Sequence, residues 1–151
     1  TKMNMNLDLK NKNAMICGGT AGIGKASAMQ LAAMGASITI VARNEEKLKA
    51  TIALLPTQDN QTHAYVVADF TNPAQLKEHV TAAATKKNYH ILLNNTGGPK
   101  GGPIFSAETS EFINAFSMHL ECNQILVQAL VPGMKEDAYG RIINVISTSV
   151  K

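Results

Sequence analysis

The chain has 151 residues, which is enough for one domain with its own hydrophobic core. Hydrophobic residues make up 45% and charged residues 17%, a balance that excludes an intrinsically disordered protein. The net charge of +3 comes from scattered lysines and forms no basic stripe with interleaved aromatic residues, so nucleic acid is not an expected partner. Residues 1–13 are polar and no later stretch is long enough to cross a bilayer, so we expect a cytoplasmic protein without a membrane partner.

The two cysteines are not placed for metal binding or for a local redox motif. Cys17 lies in an apolar run and Cys122 in a helical pattern, far apart in sequence and outside any CxxC spacing. We therefore expect two buried free thiols and no metal site, as is usual in a reducing cytoplasm.

Apolar runs of strand length alternate with amphipathic segments of helix length along the chain. The first predicted strand, 14–17, leads through a glycine-rich turn into a helix over 25–34, and a second strand follows at 37–42. Asn44 is a predicted helix cap, with Leu48, Ile52 and Leu55 on the buried face and Pro56 at the end. The later elements are a strand at 63–68, a helix opened by Asn72-Pro73, a strand at 90–94, a helix over about 110–134 and a strand at 140–147.

This rhythm of strand and helix predicts βαβ units, whose strands are parallel and whose crossovers are right-handed. The expected fold class is therefore α/β, a Rossmann-type doubly wound parallel sheet with helices on both faces in a three-layer α/β/α arrangement. Neither an internal repeat nor a domain boundary is visible, so residues 1–151 are expected to form a single domain.

A glycine motif of the form GxxxGxG joins the first strand to the first helix. Its glycines are Gly18, Gly22 and Gly24. In this context the first glycine permits the tight turn, the second lets a pyrophosphate approach the backbone, and the third lets helix and strand pack closely. The free N–H groups of the following helix favour a bound phosphate. The motif therefore predicts a dinucleotide site at residues Gly18, Thr20, Ala21, Gly22, Ile23 and Gly24.

The motif and three later segments together resemble the short-chain dehydrogenase/reductase family. That family has this glycine spacing, often as TGxxxGIG, with Cys17 here in place of the usual Thr. Asn94-Asn95-Thr96-Gly97 is similar to its NNAG element, and residues 140–147 (GRIINVIS) are similar to its fifth strand. Asp69, followed by Phe70, falls where family members place an Asp near the adenine ring. The resemblance implies cofactor contacts at Asp69, Phe70, Asn95, Thr96 and Gly97.

The end of the second strand bears on the choice of nicotinamide cofactor. Dehydrogenases that use NAD usually carry a carboxylate there, whereas this chain has Arg43 and Asn44. A guanidinium can hold a 2′-phosphate through charge-assisted hydrogen bonds. We therefore expect Arg43 and Asn44 to bind NADP(H), in preference to NAD(H). The alternative is that Arg43 is only a solvated loop residue.

Two residues are candidates for the catalytic chemistry. Ser147 matches the family's catalytic Ser after the fifth strand, although a plain strand-end hydroxyl is the alternative. In the family a Tyr-x-x-x-Lys pair follows about a dozen residues later, and the 151 residues contain no such pair. We therefore expect the chain to be the amino-terminal part of a longer protein, truncated after the fifth strand and inactive alone.

His119 stands where the family often has an Asn that carries a proton-relay water. A histidine can hold a water or shuttle a proton near neutral pH. The alternatives are a core histidine bonded to a backbone carbonyl, and a relay through Asn123, one helical turn further on.

The resemblance implies an NADP(H)-dependent oxidoreductase that transfers hydride between the cofactor and a small-molecule carbonyl or alcohol. The similarity is greatest to the 3-oxoacyl-acyl-carrier-protein reductase branch of fatty acid metabolism, so the resemblance allows a substrate that is either free or bound to an acyl carrier protein. The alternative is a non-catalytic dinucleotide-binding protein with a sensing or structural role. Family members assemble as homodimers or homotetramers, and this chain has four apolar residues that suit either such an interface or the core, namely Phe112, Phe116, Leu120 and Leu130.

Overall fold

The computed structural model describes residues 7–58, 60–98 and 101–147. The elements in chain order are β1 (Asn13–Cys17), α1 (Gly22–Ala33), β2 (Ser37–Ala42), α2 (Glu45–Ile52), β3 (Ala64–Val67), α3 (Pro73–Ala84), β4 (Ile91–Asn94), a 3₁₀ turn (Ile104–Ser106), α4 (Thr109–Phe116), a π-helical segment (Ser117–Glu121), α5 (Cys122–Glu136) and β5 (Arg141–Asn144).

The five strands form one parallel sheet in the order β3-β2-β1-β4-β5. The chain builds one half of the sheet outward from β1 to β3 and then returns to the other side of β1 to add β4 and β5. This reversal creates a switch point between β1 and β4, where doubly wound sheets bind their ligands. The predicted α/β fold class and the parallel sheet are confirmed.

Alternation along the strands divides the core into two layers. Met15, Val41 and Leu92 face the side covered by α3 and α5, where Leu76, Val80, Leu126 and Leu130 pack against them. Ile16, Ile38 and Ile40 face the opposite side, where Ala28 and Ala32 of α1 and Leu48 of α2 pack against them. Each fully buried large aliphatic side chain contributes roughly 1.5–3 kcal/mol, so these layers account for most of the favourable free energy of folding.

Several predicted element boundaries were wrong by a few residues. Helix α1 starts inside the glycine motif at Gly22, not at residue 25, because the chain becomes helical as soon as it leaves the turn. Helix α2 ends at Ile52 and does not continue to Pro56. The N–H groups of Leu54 and Leu55 donate to carbonyls three residues earlier, so the chain forms a turn there. Strand β5 is only four residues long, although the Val145 N–H still donates to the Asn94 carbonyl at 3.0 Å.

The single helix predicted over about 110–134 is interrupted. Five residues, Ser117–Glu121, form a π-helix between α4 and α5. A π-segment inserts an extra residue into the helical turn, and such insertions are frequent at functional sites. The apolar pattern on either side gave no sign of the insertion. The segment contains His119, and it therefore fixes where that side chain points.

Of the four apolar residues assigned to an interface or the core, one is buried and three are exposed. Leu130 is 1% exposed and belongs to the core. Phe112, Phe116 and Leu120 are each more than half exposed. Strand β5 forms one edge of the sheet, and its Ile142 and Ile143 are also exposed.

Both cysteines are buried free thiols, as predicted. Desolvation raises the pKa of the Cys122 thiol to about 11 and also raises the pKa of Cys17, so both thiols stay protonated. In the described part of the chain, no group of three or more metal-ligating side chains comes together. The helices of that same part are all too short or too polar to cross a membrane.

Candidate functional site

The predicted site residues come together at one edge of the sheet, where the carboxyl ends of the parallel strands meet. The turn after β1 lies beside the loop after β4, because the Asn95 side-chain amide donates to the Cys17 carbonyl at 3.4 Å. The loops after β2 and β3 continue the same edge, with the Ala68 N–H donating to the Ala42 carbonyl at 3.0 Å. This is the position at which open α/β sheets bind ligands.

The glycine turn is packed too tightly for side chains at two of its three motif positions. Gly18 has φ of +64°, and a Cβ there would collide with the Asn95 carbonyl. A Cβ on Gly24 would collide with the Gly18 carbonyl and would lie 2.8 Å from Asn95 Nδ2. Asn95 therefore supports the turn from behind, and the first turn of α1 lies directly against it.

The middle of the turn is open to solvent. Gly22 has φ of +51°, and a Cβ on it would meet no atom within 4 Å. Ala21 and Ile23 are also exposed, and 61% of the Ile23 surface is accessible. A large apolar side chain beside an open, backbone-lined turn offers a surface for a ring or sugar.

Among the described residues, no side chain caps the free N–H groups at the N-terminus of α1. Its cap residue, Ala21, has no side-chain acceptor, and no acidic residue lies in the first turn. In contrast, Asn44 caps α2 by accepting from the Lys47 N–H at 2.8 Å, and Asn72 caps α3 by accepting from the Gln75 N–H at 3.1 Å. The helix behind the glycine turn thus keeps both its N–H donors and its positive dipole end free for an anion.

One glycine that the motif does not include also has a packing role. A Cβ on Gly19 would lie 2.9 Å from the Ile40 Cβ on β2. Because Gly19 has no side chain, the turn packs directly against β2. The glycine motif does not indicate this role. The signal was present only as a second glycine directly after Gly18.

The loops after β2 and β3 place a cation next to an anion. Arg43 is exposed, and its charge helps to lower the pKa of Asp69. The largest cause of that lower pKa is the hydrogen bond from the Thr71 N–H to Asp69 Oδ1, at 2.9 Å. The Phe70 ring, in contrast, is 7% exposed and packs in the core, so only the backbone of Phe70 is left to face a ligand.

Beyond β4 the loop carries a hydroxyl that holds an imidazole. Thr96 Oγ1 lies 2.9 Å from His119 Nδ1, across the gap between the loop and the π-helical segment. The partner of His119 is therefore a hydroxyl and not a backbone carbonyl, so the carbonyl alternative was wrong. His119 Nε2 is buried and has no hydrogen-bond partner among the described residues.

A second buried polar atom without a partner among the described residues lies on β4. Asn94 Nδ2 donates to Asn144 Oδ1 at 2.8 Å and ties β4 to β5, while Asn94 Oδ1 has no partner in the described part of the chain. Buried polar atoms are nearly always paired, so unpaired ones mark places where a water or ligand group is expected.

Ser147 is exposed three residues past the end of β5. Since β5 pairs with β4 and the Val145 N–H bonds Asn94, Ser147 follows the strand next to the one that leads to Thr96 and Gly97. Gly97 is exposed, and a Cβ there would meet no atom within 4 Å. The strand order thus puts Ser147 after the strand that neighbours β4, and the loop after β4 carries Thr96, which contacts His119.

The comparisons with known proteins agree with this geometry. The family model described as short chain dehydrogenase matches residues 12–151. The chain belongs to the short-chain dehydrogenase family. The predicted family membership is thereby confirmed.

Relatives of the chain include a protein named as a reductase and a protein named as inactive. It is 32% identical over 141 residues to a 3-oxoacyl-[acyl-carrier-protein] reductase of Rickettsia bellii, covering 93% of this chain and 56% of the relative. It is 30% identical over 138 residues to the human inactive hydroxysteroid dehydrogenase-like protein 1, covering 90% of this chain and 42% of the relative. The chain spans about half the length of the curated relatives that it matches.

Solved structures match closely in fold. The L-sorbose reductase of Gluconobacter frateurii, crystallised with NADPH and L-sorbose, superposes with a TM-score of 0.84 and 28% sequence identity. That match covers 93% of this chain and 54% of the reductase. The short-chain dehydrogenase fold of this chain is therefore established from β1 through β5.

Proposed function

We propose that the protein is an NADP(H)-dependent oxidoreductase that transfers hydride to a carbonyl group. The observation that carries this proposal is the free N-terminus of α1 behind an open glycine turn, at the switch point of the sheet. The turn has the shape and the free N–H donors that a pyrophosphate requires.

The residues of the turn fit a dinucleotide. Backbone N–H groups of Thr20, Ala21, Gly22 and Ile23 would hold the pyrophosphate, with Gly18 and Gly24 shaping the turn. A Cβ on Gly22 would meet no atom within 4 Å, so the turn is open on the side from which a phosphate would approach. The exposed Ile23 side chain would pack against the sugar or ring beyond it.

The adenosine end of the cofactor would lie over the loops after β2 and β3. The Arg43 guanidinium is exposed and suits a 2′-phosphate, which a carboxylate at this position would repel. Asn44 would contribute beside it, although its Oδ1 is already used as the α2 cap. Asp69 and the Phe70 backbone would face the adenine. These contacts favour NADP(H) over NAD(H).

The nicotinamide end would lie over the loops after β4 and β5, near Asn95, Thr96 and Gly97. When bound, NADPH supplies the hydride. Ser147 would donate a hydrogen bond to the substrate oxygen as negative charge develops on it. His119 would hold or move a proton at Nε2, since its Nδ1 is held by Thr96 and its Nε2 is unpaired.

Two proteins similar to this chain support a reductase function. The L-sorbose reductase structure contains NADPH, and the Rickettsia relative is described as a 3-oxoacyl-acyl-carrier-protein reductase. A 3-oxoacyl thioester, carried by an acyl carrier protein or a smaller mimic, is accordingly the substrate class that we propose. We also propose a cytoplasmic homodimer or homotetramer.

The test is an NADPH oxidation assay with acetoacetyl-CoA, run on the longer protein of which the 151 residues are expected to be the amino-terminal part. We expect NADPH consumption that depends on the thioester and falls about 100-fold or more in Ser147→Ala, because one oxyanion-stabilising donor is lost. The matched control is Ser110→Ala, an exposed serine on α4 away from the strand ends, which should keep full activity. Activity that survives Ser147→Ala unchanged would contradict the role of this residue.

A second function is favoured by one comparison. The human relative is described as inactive, and the 151 residues hold no Tyr-x-x-x-Lys pair. The alternative is thus a dinucleotide-binding protein that senses NADP(H) or stabilises a partner. Saturable NADPH binding without turnover of any carbonyl tested would favour this alternative.

A further inference from the structure

A cavity of about 310 Å³ lies between the edge strand β3 and the second half of α3. It is separate from the glycine turn, because it opens beside the start of β3, whereas the turn follows the carboxyl end of β1. Its volume is at the lower end of the range in which proteins bind small organic molecules.

The interior of the cavity is mostly apolar. Val66 and Ala64 form the wall on the strand, and Ala82 and Ala83 form the wall on the helix. The buried Tyr89 lies against the cavity, and its hydroxyl donates to Thr39 Oγ1 at 3.1 Å, so this phenol is already satisfied. A ring or short alkyl group would meet apolar contacts on both sides.

The rim of the cavity is positively charged and has no acidic residue. Lys86 and Lys87 both contribute to the lining, together with His79. Lys87 is partly buried, and its Nζ lies 5.3 Å from the centre of the Tyr89 ring. Burial lowers the pKa of Lys87, as expected for an ammonium that has lost part of its hydration.

No carboxylate neutralises these lysines within the described residues. The ion pairs found there involve Lys49 and His90. Glu45 is near the same edge, but it accepts from the Tyr65 hydroxyl at 2.9 Å and pairs with Lys49 on α2. A partly desolvated ammonium with only an aromatic face beside it gains more from an anion than an exposed lysine does.

Backbone donors are also available at this edge. The N–H groups of alternate residues in a parallel strand point to the same neighbour, and the Ala68 N–H donates to β2. The N–H and C=O groups of Tyr65 and Val67 therefore point away from β2, and the Val67 carbonyl is covered by His79 Nδ1 at 2.6 Å. Tyr65, whose N–H points outward, is one of the residues that line the cavity.

We propose that this cavity binds a small organic carboxylate, with its apolar body between β3 and α3 and its carboxylate at Lys87. The proposal goes beyond the oxidoreductase function and does not depend on it. The class of ligand follows from the lining: two lysines without an acid select an anion, and the alanine, valine and tyrosine walls select an apolar body of about ring size.

The probe is benzoate, and benzamide is its uncharged analogue. Each is titrated into the ¹⁵N-labelled protein, and the amide signals of Val66, Ala82 and Lys87 are followed by NMR. We expect saturable shifts with benzoate and at least tenfold weaker binding of benzamide, because a charge-assisted hydrogen bond is lost. Shifts that do not saturate, or equal affinity for the two compounds, would overturn the proposal.

Three variants separate charge from volume. Lys87→Met should weaken benzoate at least tenfold while keeping the length of the side chain. Lys77→Met, which removes an exposed lysine from the same helix outside the cavity, should change the affinity by less than about twofold. Ala82→Leu should block binding by filling the space. Benzoate binding that is unchanged in both Lys87→Met and Ala82→Leu would place the ligand elsewhere and refute the assignment.

Discussion

Replacing Gly24 by alanine tests the packing of the glycine turn. An added Cβ would collide with the Gly18 carbonyl, and it would lie 2.8 Å from both the Gly18 carbonyl carbon and Asn95 Nδ2. The first group is backbone, and Asn95 is itself held against Cys17, so neither can rotate away. Helix α1 or the turn has to shift instead.

The magnitude follows from two opposing effects. Overpacking of this kind costs roughly 1–3 kcal/mol, and more when the obstacle is backbone. The better helix propensity of alanine returns about 1 kcal/mol. We expect a net loss of about 1–2 kcal/mol in the free energy of unfolding, which corresponds to a fall of roughly 2–8 °C in Tm for a chain of this size.

Urea denaturation and an NADPH titration measure the two consequences. The midpoint of unfolding should fall in Gly24→Ala, and NADPH affinity should fall at least tenfold because the displaced turn no longer presents its N–H groups. The matched control is Gly102→Ala, where a Cβ would meet no atom within 4 Å and stability should change by less than about 0.5 kcal/mol. Identical stability and affinity in the two variants would refute the packing argument.

Three further predictions concern charge and protons. Arg43→Gln should weaken NADPH binding by about 10- to 100-fold and leave NADH binding within about twofold, measured by calorimetry, because only the 2′-phosphate contact is lost; equal losses for both cofactors would contradict the assignment of Arg43. Unfolding by urea should become easier as the pH falls through about 6.5. Burial is the largest cause that lowers the pKa of His90 in the folded state, and the charge of Lys12 is the second. The unfolded state therefore binds an additional proton at His90. The effect should be present below about pH 6.5, absent above about pH 8, and lost in His90→Gln; a stability that rises on acidification would show that the charge of Asp137, 3.0 Å from His90 Nε2, is the stronger influence. His119→Asn should lower turnover about 100-fold while NADPH affinity stays unchanged, because the proton carrier at Nε2 is lost, and turnover equal to that of the unaltered protein would exclude His119 as the proton carrier.

The alternation of strands and helices and the glycine turn were predictable because they depend on local sequence. Alternating apolar runs set the parallel sheet, and Asn44 and Asn72 cap their helices as their positions predicted. The glycine spacing carried enough information to place the turn and the start of the dinucleotide site.

The remaining features depend on contacts between distant residues. The π-helical segment lies between α4 and α5, and no local pattern in the sequence indicates it. The bond between Thr96 and His119 joins residues 23 positions apart. The packing of Gly19 on Ile40 joins the turn after β1 to strand β2. The cavity beside β3 likewise requires the α3 helix to lie across the sheet edge.

The central claim is that the open glycine turn and Arg43 form an NADP(H) site, and calorimetric titration of the protein with NADPH and NADH tests it most directly. The account predicts one saturable site per chain that binds NADPH at least tenfold more tightly than NADH, through the added charge-assisted contact. Equal affinities would contradict the role of Arg43, and no saturable binding of either cofactor would contradict the dinucleotide site itself.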